Sequence, residues 1–96
     1  MTYVDGFLLP VSKKKLKAYR AMSVACGKIW HEYGALEYRE CVGDDLEIKM
    51  CLPFTRAVKV KRGETVIFSW IVFKSRAQRD RINAKIMRDP RILAMM

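Results

Sequence analysis

One histidine, three cysteines and a basic strand-to-helix junction are the residues of this chain best suited to chemistry. His31 follows Trp30 near the end of an apolar-striped segment. A proton-accepting imidazole needs an orienting partner and a pocket. The neighbouring Glu32 cannot be that partner, because adjacent helical residues do not face each other. His31 is thus the one catalytic candidate, and a surface role at a helix C-terminus explains it better. Cys26, Cys41 and Cys51 are odd in number and widely spaced, which reads as reduced thiols. Zinc ligands arrive in closely spaced pairs, and none occurs here. Asp44-Asp45 lacks the spacing of a calcium loop. No metal site and no cofactor is expected.

The junction Lys74-Ser75-Arg76 is an anion-site candidate, since helix-start N–H groups beside Lys74 and Arg76 suit a phosphate or carboxylate. Ser75 with Gln78 is also a capping box, which accounts for the same residues without a ligand. Phe7, Tyr19, Phe68 and Trp70 are candidates for a pocket that takes a flat apolar molecule. Aromatic side chains at such positions serve equally as plain core.

The elements that must position these residues follow from periodicity. Tyr3–Leu9 reads as a strand that Pro10 ends or marks as an edge, with Ser12 as the N-cap of the helix that follows. Leu16, Tyr19, Met22, Ser23, Cys26, Ile29, Trp30 and Tyr33 form a helical stripe, closed by Gly34. Leu36–Val42 alternates as a half-exposed strand, with Leu36, Tyr38, Glu40 and Val42 on one side. Leu46–Lys61 suggests only a short helical turn opened by Pro53. Thr65–Phe73 (TVIFSWIVF) is apolar on both faces, so both must be covered. Phe68, Trp70 and Val72 share one face, and Ile67, Ser69, Ile71 and Phe73 the other. A capped helix from Ser75 to about Arg88 ends before Asp89-Pro90. Arg91–Met96 is expected to form no complete element.

With 96 residues, 51% of them hydrophobic, the chain is one folded domain spanning 1–96. No apolar run approaches the length of a membrane span, and the N-terminus lacks the pattern of a signal peptide. A cytoplasmic protein is expected. The net charge of +9 raises the question of nucleic acid. Its lysines and arginines fall into separate blocks, at 13–17, 59–62 and 74–81, which reads as solvated faces rather than a binding stripe. A nucleic-acid-binding basic module is the alternative not favoured, because the central strand is too apolar to stand in water as a base-stacking sheet.

The order β-α-β-(turn)-β-α is that of an α+β, ferredoxin-like subunit without its final strand. Tyr3–Phe7, Leu16–Arg20, Gly27–Trp30, Gly34–Tyr38 and above all Glu64–Arg76 resemble the YbaA-like family, small bacterial proteins of unknown function. Residues 79–81, 83–85 and 87–91 continue the likeness across nearly the whole chain. The resemblance implies a dimeric α/β-barrel, in which two ferredoxin-like subunits pack sheet to sheet as a homodimer. Proteins of that wider group include cofactor-independent monooxygenases, haem-degrading enzymes and isomerases, so a monooxygenase-like or isomerase-like activity is the enzymatic alternative. Fold alone does not transmit it. Family members usually continue past Met96 with a further strand, and usually carry His where this chain has Gln78. The resulting expectation is a homodimer with a small-molecule pocket and no identified reaction.

Overall fold

The two-faced apolar strand is the centre of the molecule. In the computed structural model, which describes residues 1–96, it is β3 (Glu64–Phe73). It lies between β1 (Tyr3–Ser12) and β2 (Glu37–Val42), both antiparallel to it, in a three-stranded sheet of order β1-β3-β2. The helices are α1 (Leu16–Glu32), α2 (Phe54–Ala57), α3 (Arg76–Ile86) and α4 (Pro90–Met95), so the fold is α+β.

Register decides which side chains share a face. Opposed residues of antiparallel neighbours project to the same side. Phe7 pairs with Ser69, Glu40 with Ser69, and Tyr38 with Ile71, so these side chains face the helices. There Ile71 and Phe73 meet Ile29 of α1, Ile82 and Ile86 of α3, and Ile92 of α4 in one buried cluster. Val4 pairs with Val72, Leu8 with Phe68, and Arg39 with Trp70, all on the opposite face. No helix layer covers that second face. Only α2 reaches it, placing Phe54 5.5 Å from Phe68, whose ring lies 5.4 Å from Trp70. Phe68 remains 39% and Val4 54% exposed. The molecule is accordingly thin, 38 × 32 × 16 Å, one side covered by helices and the other open beyond the buried Val66.

Three local expectations are corrected. β1 continues through Pro10 to Ser12, because it is an edge strand, where a missing N–H is tolerated. Ser12 makes no side-chain cap, and a 3-10 turn, Lys13–Lys15, precedes α1. The segment after Asp89-Pro90 is helical, not irregular: Asp89 caps α4 and Pro90 takes its first turn. The end of α1 follows the sequence closely. Gly34 has φ +110, Gly34 N–H donates to His31 O and Ala35 N–H to Trp30 O, a Schellman cap.

Asp89 also ties α4 to α1. Tyr33 Oη donates to Asp89 Oδ2 at 2.7 Å, Arg91 Nη2 to the same oxygen at 2.9 Å, and Arg91 Nη2 reaches Glu32 at 2.8 Å. The Arg91 side chain, helped by Tyr33, holds the Asp89 carboxyl well below the usual carboxylate range. A depressed native pKa means stabilisation that is complete above the unfolded value near 4 and lost as pH falls toward the native one. Melting temperatures of wild type and Asp89→Asn should therefore differ most at neutral pH and converge below pH ~4. A constant gap down to pH ~2 would contradict the lock.

Candidate functional site

Inward-facing positions of β2 read Tyr38, Glu40, Val42. A carboxylate in that row is unusual, since this face is the one the helices cover. Its neighbours accommodate it. Tyr19 of α1 and Tyr38 of β2 both donate their phenolic O–H to Glu40, the second at 2.9 Å to Oε2. Tyr38 reaches this position because Gly27 lets its ring lie against the α1 backbone. A Cβ at residue 27 would stand 2.9 Å from the Tyr38 ring. Trp30, 5.9 Å from Tyr38 between ring centroids, flanks the other side, with its indole Nε1 buried and unpartnered.

Glu40 and Tyr19 stand between two cavities. One, of about 410 Å³, is bordered by Leu16, Lys17, Arg20 and Ser23 of α1 with Val42 and Ile67 of the sheet. The other, of about 300 Å³, is bordered by Phe7, Leu9, Cys26, Trp30, Ser69 and Ile71. Both fall in the size range of small-molecule pockets; the second has a mainly apolar lining, whereas the first sets Lys17, Arg20 and Ser23 beside Glu40. Ser69 is buried and pairs with both Phe7 and Glu40 in the register, so it adds a hydroxyl beside the carboxylate. Met95 of α4 closes on Cys26, with the sulfurs 3.6 Å apart.

The electrostatics follow from this packing. Burial, reinforced by Glu40, pushes the Tyr19 and Tyr38 phenols well above the usual tyrosine range, and raises the Cys26 thiol as well. Tyr33 is raised by its hydrogen bond to Asp89. A raised phenol contributes stability below pH ~10 that is lost as pH climbs toward the native value. Alkaline titration of phenolate absorbance should thus show Tyr19, Tyr33 and Tyr38 ionising late, with stability falling above pH ~10. In Glu40→Gln, Tyr19 and Tyr38 should ionise earlier and Tyr33 should not move. Unchanged titration of all three would contradict the Glu40 contacts.

The other candidate residues separate. Phe7 and Tyr19 border the 300 Å³ cavity, whereas Phe68 and Trp70 lie on the opposite, open face of the sheet. The four do not line one pocket. Ser75 Oγ accepts from Gln78 N–H at 3.1 Å while Gln78 Oε1 accepts from Lys74 N–H at 2.6 Å, so the helix start is capped by its own side chains. Arg76 turns along α3 toward Asp80, 3.9 Å away. His31 is exposed, its Nδ1 3.1 Å from the Ala35 carbonyl oxygen, and no acid stands beside it. Cys41 and Cys51 are exposed. No three His, Cys, Asp or Glu side chains converge.

Glu40 was not among the sequence candidates. Its signal was present, however, as a charged residue in phase with Leu36, Tyr38 and Val42.

Likeness to other proteins names no reaction. Uncharacterized protein YbaA of Escherichia coli (strain K12) is 41% identical over 92 residues, covering 96% of this chain and 79% of that protein. The protein of the same name from Shigella flexneri matches to the same extent. Residues 2–96 match a family described as protein of unknown function, DUF1428, and the chain belongs to that family.

Proposed function

We propose that the protein is a cytosolic homodimer that binds a small, mostly apolar molecule beside Glu40, in the cavities between α1 and the sheet. The observation that carries the reading is the placement of Glu40: a carboxylate on the helix-facing side of the sheet, held by two phenols, between a mainly apolar cavity and one that Lys17 and Arg20 also border. Polar groups so placed fix a ligand's orientation while apolar walls supply affinity. A ligand group that donates a hydrogen bond, an O–H or N–H, suits the carboxylate.

The homodimer is supported by the open face. Val4, Leu8, Phe68, Trp70 and Val72 lie there in register, edged by the Glu37–Arg39 pair at 2.6 Å. An apolar strip with a polar rim is the anatomy of a protein–protein interface. A second copy offers the same strip, and an isologous sheet-to-sheet contact would cover both at once. The arrangement is that of ferredoxin-like subunits in a dimeric α/β-barrel.

The test uses the chain's two tryptophans, one on each face. In Trp70→Phe, the remaining Trp30 reports on the cavity. A fragment library screened by fluorescence and thermal shift should yield apolar O–H or N–H donors that shift Trp30 emission. Their affinity should fall at least tenfold in Glu40→Gln, because a charge-assisted hydrogen bond contributes about 1.5–3 kcal/mol. Ligands that bind Glu40→Gln equally well would overturn the site.

A further inference from the structure

Two basic blocks that stand far apart in the sequence meet in the fold. Ser12 at the end of β1 pairs with Glu64 at the start of β3, and Lys13 N–H donates to Gly63 O at 2.9 Å. This places Lys13–Lys15 beside the turn that carries Lys59, Lys61 and Arg62, all of them exposed. From there α1 carries the charge onward through exposed Lys17, Arg20 and Lys28. No acidic residue occurs between Lys13 and His31. From Lys15 to Lys28 the helix extends the surface by roughly 20 Å.

The acids that might neutralise this surface are engaged or distant. Glu40 borders the same cavity as Lys17 and Arg20, but its carboxylate accepts from Tyr19 and Tyr38 and it forms no ion pair with either. Glu64, the nearest, accepts from Lys61 N–H at 2.8 Å. Asp44 and Asp45 follow β2, on the other edge of the sheet. The protein's ion pairs draw on Arg39, Arg76, Arg79 and Arg91, and on no lysine.

We propose that this surface, the 3-10 turn, the 59–62 turn and the exposed side of α1, binds the phosphate backbone of nucleic acid without regard to sequence. Lysines that form no ion pair on an exposed surface neutralise phosphates and release counterions, which is the main source of non-specific affinity. The surface fits a polyanion better than a membrane. The apolar side of α1 puts Ile29 in the core and Tyr19 and Cys26 at the cavities, and its exposed apolar residues, Met22 and Val24, stand two positions apart and point to different sides, so they form no continuous face to insert among lipids. The separation of the blocks along the chain, which argued against nucleic acid, is removed by the β1–β3 pairing.

The test is fluorescence anisotropy with labelled single-stranded RNA and duplex DNA of two unrelated sequences, over a salt series, together with sedimentation on phosphatidylserine vesicles. Wild type should bind both sequences alike. If about half of the six block residues reach phosphates, log K should fall against log salt with a slope near −3 on duplex. Neutralising Lys13, Lys14 and Lys15 to Gln, or separately Lys59, Lys61 and Arg62 to Gln, should weaken binding at least about tenfold and flatten the slope by about 1–3. Arg76→Gln with Arg81→Gln, outside this surface, should change it little. Circular dichroism checks that the variants fold. The proposal is overturned by absence of salt-dependent binding, by equal binding of both triple variants, or by binding to anionic vesicles alone.

Discussion

Replacing Phe73 by alanine is expected to destabilise the protein by roughly 3–5 kcal/mol. Phe73 has no exposed surface and sits at the centre of the cluster that joins β3 to α1, α3 and α4. With only 14 of the 96 residues buried, this small core has no redundancy to absorb the cavity such a change leaves. Lys17→Ala, on the exposed side of α1, should stay within about 0.5 kcal/mol. Urea denaturation of both variants measures the difference. Equal, small effects would mean that Phe73 is not the keystone of the cluster.

The second large effect concerns the open face. Phe68→Asp places a carboxylate in the apolar strip between Phe54 and Trp70, and an isologous contact meets the change twice. Burying each unpaired charge costs several kcal/mol, so dimer dissociation should rise by roughly 1,000-fold or more. Val4→Asp is the companion variant, because Val4 is already 54% exposed and its change leaves the protomer core intact. Sedimentation velocity should show both variants shifting to monomers at concentrations where wild type remains associated. Variants that sediment as wild type would exclude this face as the contact.

How much of this was legible in the sequence depends on the range of the interaction. The β3 strand announced itself, because an unbroken apolar run has no solvent face, and its alternation assigned Phe68 and Trp70 to one side and Ile71 and Phe73 to the other. The helix α1 and its Gly34 cap were equally plain, since both are local matters of spacing and φ. The pairing register was not local. Whether Phe7 falls with Trp70 or with Ser69 turns on a shift of one residue, and the structure puts it with Ser69. For that reason the four aromatic pocket candidates divided between the faces. Glu40 escaped notice because one carboxylate in an alternating strand looks like tolerance rather than design. Its meaning appears only with Tyr19, from another element, beside it. α4 escaped because six residues carry too little periodicity, although Asp89-Pro90 held both its cap and its first turn.

A thin protomer with one apolar sheet face that no helix layer covers is expected to exist as a pair. Multi-angle light scattering of the wild-type protein at micromolar concentration tests it most directly. The chain mass is 11.2 kDa, and the measured mass should be about twice that. A soluble, cooperatively folded species of 11.2 kDa would contradict the claim, because its open face would stand in water with nothing to cover it.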